Sequence, residues 1–403
     1  MSLYQKASLV QIPSGYKASS ANLYSVVPSN GDGDFTVDSS PLATRVNKDG
    51  LIESVVADQA RLNYDPTNPQ DPHLLLEPAR TNRVFPNNSL TGYSTVGVTT
   101  SNNQTTAPNG TNEGAKITAT TSGTAVVFKG FTGTSGVTHN ISAFVKAGTH
   151  NQIRLQEGFS SSRIDVNLST GTEVSSQNAT NKKIEAYPND WYRVSFDFTS
   201  TSTNLQFALY FNGSYTSSEN IYLYGGQIEE GTYATSLIPT TGGIETRTVD
   251  YASGAGDANL FNDSEGTLFI EAAVLGNDGT YRVINISDGT SSNRVLIQLG
   301  NNNNQIRSDI VSGGSTQASI STTSYNFTNY NKIAVRYKQN DIALYVNGTQ
   351  IGTDTNANTP TGLDRIDFTN GSLGSAFYFS GKLKQLMYFD TALSNSELQT
   401  LTS

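Results

Sequence analysis

The chain has 403 residues, of which 35% are hydrophobic and only 15% charged, with a formal net charge of −9 and no cysteine. That length predicts two or three domains with real cores, and the aromatic content argues against disorder. The missing cysteines exclude disulfides, thiolate metal sites and cysteine nucleophiles, and the acidic balance speaks against a nucleic-acid surface.

The first stretch, MSLYQKASLVQIPSGYKASS, has no apolar run of the signal-peptide kind, so synthesis in a cytoplasm without a secretory leader is expected. No stretch approaches the roughly 20 apolar residues of a membrane span, so no membrane insertion is expected. Residues 1–84 read as short strands separated by long turns. Asn30 to Asp34 is a loop, Phe35 to Val37 a strand, and Thr44 to Ile52 a hairpin turning at Lys48-Asp49-Gly50. After the proline-rich turn Asp65 to Pro69, Leu74 to Leu76 reads as a short buried strand. So little strand seldom builds a core alone. The segment is expected to act as an arm, packing on a neighbouring domain, a second copy or a larger assembly.

Residues 85–240 form the second unit. Ile141, Ala143 and Val145 alternate in one strand, and Tyr192, Val194, Phe196 and Phe198 in another beside Trp191, the single tryptophan. Leu205 to Phe211, turned by Asn212-Gly213, and Ile221 to Tyr224 add two more. The spacing predicts an antiparallel sandwich of the jelly-roll type. Residues 241–261, opening on Thr241-Gly242-Gly243, read as a linker.

Residues 262–403 form the third unit. Ile342, Leu344 and Val346 alternate with Ala343 and Tyr345, the pattern of a strand with one buried face. Asn347-Gly348 then supplies the two residues that tolerate positive φ in a tight hairpin. Ser394 to Glu397 is a capping box, with Leu393 and Leu398 as its hydrophobic staple, and predicts a short final helix. The fold class is therefore all-β: two antiparallel jelly-roll β-sandwich domains, an irregular β-rich arm before them and one short C-terminal helix.

Three stretches resemble known families. FSGKLKQLMYFDTALSNSELQTL (Phe379 to Leu401), with LYVNG before it, resembles the laminin-G-like, concanavalin-A-like jelly roll over about 140 residues. NDWYRVSFDF and IYLYGGQIEEGTYATSLIPT resemble carbohydrate-binding-module-like domains of bacteriophage structural proteins, although those usually carry Ala at Gly226 and Trp at Tyr224. DGDFTVDSSPLATRVNKDGLIE and HLLLEPARTNRV resemble the N-terminal segment that precedes such domains in phage virion proteins. Together these imply a virion-surface protein: a head fibre, capsid decoration or tail fibre. The arm would contact other virion proteins of capsid or tail, the assembly would be a homotrimer, and the jelly rolls would hold host-surface or environmental glycans, in some cases through calcium.

An enzyme needs an acid, base or nucleophile in a supporting arrangement. Only His73, His139 and His150 exist, and nothing resembles a nucleophile elbow. Glu229 and Glu230 are neighbours on a strand and point to opposite faces. No catalytic residue is expected, and the protein is read as a non-enzyme. Stacking platforms for sugars would come from Trp191, Tyr210 and Tyr215 in the second unit and Tyr325, Tyr330 and Tyr378 in the third, although Trp191 reads first as packing. Alternating oxygens make Asp32 and Asp34 candidate calcium ligands, as do Asp288, Asp364 and Asp367 on the rim of the last sandwich. The competing readings are a polysaccharide-active enzyme, which needs a carboxylate pair about 5–9 Å apart, a ligand-free capsid cement protein, and a bacterial surface adhesin.

Overall fold

Alternating apolar residues on short strands leave each sheet with a greasy face that must be covered. The computed structural model, which describes residues 2–12, 22–370 and 377–403, satisfies that demand with two antiparallel sandwiches. In the first, a sheet ordered Val98–Thr105, Gly114–Ala119, Asn220–Glu230, Thr138–Ala147, Trp191–Thr199, Thr180–Tyr187 faces a second of six strands. Val194, Phe196, Ile141 and Val145 meet Phe207, Leu209, Ile153 and Leu155 in the shared core. The alternation expected for these strands is what fills it.

The second sandwich opposes a five-stranded sheet to one of eight strands. At the centre of the larger sheet, Glu265–Val274 lies between Asn331–Lys338 and Gly381–Phe389. The Ile342–Val346 strand returns through Asn347 and Gly348, both at positive φ (47° and 76°), into Thr349–Asp354. Ile342, Leu344 and Val346 point into the main core. The other face is not open as the alternation implied. Ala343 and Tyr345 are buried too, in a second cluster with Val10, Phe269, Leu393 and Leu398. The cover is the C-terminal helix Asn395–Thr402, whose capping box at Ser394 and Glu397 forms as expected, while the N-terminal strand Leu9–Gln11 pairs beside Gly381–Phe389 and adds Val10 to the cluster.

The arm does not stand apart. Its hairpin Arg61–Asp65 and Asn68–Leu76 extends the eight-stranded sheet, with Leu74 to Leu76 pairing with Gly381 to Leu383. The three leucines end a nine-residue strand rather than forming a short isolated one. The hairpin Thr44–Val46 and Ile52–Ser54 forms as read, and Ile52 reaches the other sandwich, where it packs with Trp191 and Phe144. Residues 241–261 are likewise woven in. Glu245–Arg247 pairs with Arg80–Asn82, and Tyr251–Ser253 with Phe35–Asp38. Gly242-Gly243, the first exposed and the second half-buried, has the look of a linker, but the charges that follow, Arg247 and Asp250, are buried and must be held by partners.

Candidate ligand-binding site

Where the arm meets both sandwiches, four charged side chains are buried together: Arg61, Glu77, Arg247 and Asp250. Arg61 Nη1 donates to Glu77 Oε2 at 2.6 Å and to the Thr44 carbonyl at 3.0 Å, and its Nη2 pairs with Asp250. Arg247 reaches the same Glu77 oxygen at 2.7 Å, while the Ser236 backbone N–H and hydroxyl donate to the Glu77 carboxylate at 2.7 and 2.6 Å. Burial alone would raise the Glu77 carboxyl, but Arg247 and Arg61 beside it hold it down at about 2. Each element supplies a partner, so the junction is locked by charge-assisted bonds that sequence distance hides.

Glu77 also forms part of the wall of a 470 Å³ cavity between the two sandwiches and the arm hairpins. The arm contributes Tyr64, Asp65 and His73. The first sandwich supplies Lys183, Glu185 and Tyr187, and the second Tyr330 and Lys382. Lys382 and Lys384 flank Leu383 on one strand: Leu383 faces the core, so the two lysines share the opposite, arm-facing side. Lys384 pairs with Asp71 at 2.8 Å and sits 4.1 Å from the centre of the Tyr330 ring. Tyr330 also meets His73 edge-on at 6.4 Å. His73 is buried, and burial first, then the Lys382 charge, pushes its pKa down to about 3, so the ring is neutral. A wall of tyrosines with donors and acceptors of both charges suits a polyhydroxylated ligand, whose C–H faces stack while its hydroxyls need partners.

Of the six aromatic residues expected to bind sugar, only Tyr330 borders this cavity. Trp191 is wholly buried, and its Nε1 donates to the Thr106 carbonyl at 2.9 Å, so its face is spent on packing. Tyr215 donates to the Gly123 carbonyl and packs on Phe211 and His150. Tyr210 is half-buried on its strand, and Tyr325 rests on the main core of the second sandwich. Tyr378 stacks on Tyr251 at 5.3 Å.

The calcium candidates spend their oxygens locally. Asp34 accepts from the Ser25 backbone at 2.7 Å, and Asp32 from the Asn30 side chain. Asp288 accepts from Thr290 and Asn293, Asp364 pairs with Arg365 at 2.7 Å, and buried Asp367 accepts from the Gly254 N–H at 2.8 Å. Among the described residues no group of three His, Asp or Glu side chains gathers to hold a metal ion. Glu229 and Glu230 do point apart, the first buried and the second exposed.

Residues 251–399 match the family model of the concanavalin A-like lectin/glucanases superfamily. No curated protein matches the chain. Among solved structures, the CBM40 domain of Ruminococcus gnavus IT-sialidase bound to α2,3-sialyllactose is 18% identical, with 38% of this chain and 94% of that one covered at a TM-score of 0.32. The Streptococcus pneumoniae NanB sialidase is 16% identical over 36% of this chain and 25% of its own, also at 0.32. A SAP-like pentraxin from Limulus polyphemus is 15% identical over 34% and 70%, at 0.29.

Proposed function

We propose that the chain is a non-catalytic glycan-binding protein carried on a virion surface, as a head fibre, capsid decoration or tail fibre that adheres to host or environmental glycans. The observation that carries the binding half is the lectin-type sandwich of residues 251–399 closing against the arm and the first sandwich around a tyrosine-lined polar cavity. Support for the virion half comes from the arm, where DGDFTVDSSPLATRVNKDGLIE and HLLLEPARTNRV resemble segments of phage virion proteins. A homotrimer in contact with capsid or tail proteins belongs to the same proposal.

A glycan array probed with the full chain tests the binding half, followed by titration of the hits against Tyr330→Ala. Saturable binding that Tyr330→Ala weakens is expected. An array at background, or release of shortened saccharides from a polysaccharide, overturns it, the latter in favour of an enzyme. Antibody labelling of purified particles tests the virion half, and unlabelled particles overturn it.

A further inference from the structure

We infer that the cavity between the sandwiches takes a carboxylated saccharide, its carboxylate seated against the Lys382 ammonium and the N–H of the His73 ring. This deepens the glycan reading and rests on it. Asn63 sets the tautomer of His73. Its Oδ1 accepts from the Val46 backbone N–H at 2.8 Å, which fixes the side-chain amide. The Nδ2 group then donates to the Tyr64 carbonyl at 3.1 Å and lies 3.2 Å from His73 Nε2. An amide NH₂ only donates, so Nε2 is the accepting nitrogen and the ring proton sits on Nδ1. That Nδ1 is buried, and among the described residues the Asp71 backbone is its one weak acceptor, short of good hydrogen-bond geometry.

Among the described residues Lys382 is a second donor with no hydrogen-bond or ion-pair partner. Its neighbour Lys384 is paired with Asp71, but Lys382 feels Glu185, Asp65 and Glu77 only as more distant charges, with Lys183 opposing them. Asp65 has already given Oδ1 to Thr67 and Asn68 in its own turn. Lys382 lies opposite Leu75 across the ladder and His73 is two residues along that strand, so both side chains leave the sheet on one face, at the cavity wall. A half-buried ammonium with no ion-pair partner among the described residues, and a buried ring N–H served only by the weak Asp71 contact, are costly to leave so. A ligand carboxylate satisfies both, and a charged acceptor gives the stronger bonds. The remaining wall, Tyr64, Tyr187 and Tyr330 with the outlying acceptors of Glu185, fits ring C–H groups and hydroxyls. The cavity volume falls in the range of roughly 300–1,000 Å³ usual for small-ligand sites.

The test is calorimetric titration of the full chain with galacturonate, glucuronate and N-acetylneuraminate oligosaccharides, each against its methyl ester. The ester keeps the shape and removes the charge. At least one acid is expected to bind tenfold or more tightly than its ester. Lys382→Met is expected to erase that preference and Lys382→Arg to keep part of it. The Lys382→Met thermal midpoint should not fall, since a half-buried charge with no ion-pair partner among the described residues is being removed. Acid and ester binding alike, or a preference that survives Lys382→Met, overturns the inference and leaves glycan binding standing. No binding by any member, together with an empty array, overturns both. Should Lys382→Met fail to fold, a folded Lys382→Gln replaces it: loss of the preference counts for the site and full retention of it counts against.

Discussion

Glu77 shows how much one buried carboxylate can hold. It answers two arginines and the Ser236 backbone from a position wholly out of water. Removing its charge leaves Arg247 buried without its ion-pair partner and Arg61 with Asp250 alone, so Glu77→Gln is expected to cost about 3–5 kcal/mol in urea unfolding. The pH dependence carries two signatures. The carboxyl is held at about 2 in the folded state, against about 4.3 unfolded. A depressed carboxylate contributes stability that is full above the unfolded value and drains away as pH falls from about 4.3 toward 2. His73 acts higher. Its folded pKa near 3 lies below the ordinary value of about 6.5, so the unfolded chain binds a proton that the folded chain refuses. Stability should therefore fall by about 1.4 kcal/mol per pH unit once pH drops below about 6.5, before Glu77 adds its share. Unfolding midpoints measured from pH 7.5 to 4 in the parent and in His73→Gln separate the two: between about pH 6.5 and 5 the variant should fall less steeply than the parent, keeping only the share of His139, which burial also holds low, and equal slopes refute the neutral buried His73 ring. None of this was legible locally. Glu77 and Asp250 are 173 residues apart, and no spacing rule links them. The only hint was charge set hard against apolar strand, Arg61 before Leu62 and Glu77 after Leu76, in a chain with few charges.

At the level of elements, local rules read well wherever the cause was local. Asn347-Gly348 turns because both residues accept positive φ, and Ser394 caps because its oxygen accepts from the Glu397 N–H. What failed was the inference that one face of a strand is solvated. Period-two alternation identifies two faces but not what lies over the second, and here both are covered. Ala343 and Tyr345 lie under the final helix, and Trp191 and Phe144 under Ile52 of the arm. The final helix is only eight residues long, too short to persist without its cap and its packing. Ser394→Ala is expected to lower stability by about 1 kcal/mol, and Leu398→Ala, which opens the buried seam against Phe269 and Ala343, by about 2–5 kcal/mol. Thermal melts of the two variants check the ranking: equal midpoints would mean that the helix merely rests on the sheet.

Across the whole molecule, the boundaries that composition suggested do not mark separable bodies. The arm donates strands to one sandwich and a covering hairpin to the other, and residues 245–253 pair with the arm instead of spanning a gap. Topology of this kind leaves no trace in a one-dimensional pattern, because a strand's own alternation does not declare its partner. The cavity exists only because three parts meet, so its walls were not legible as a site, although Tyr330 was singled out on exposure grounds. A chain beginning at Asn87 therefore tests more than assembly. It lacks the strands beside Gly381–Phe389, leaves that edge and Leu383 uncovered, and strips Ile52 from Trp191. An open apolar edge recruits other chains. The expected outcome is loss of the native fold, seen as aggregation in light scattering and red-shifted emission from the single tryptophan. A full chain that runs as a trimer while the truncated one stays monomeric with unshifted emission would instead make the arm a dispensable assembly element, and the interlocked architecture would not be what stabilises the sandwiches. Folding must be read alongside mass, because an aggregated truncation and an assembled one are indistinguishable by size alone.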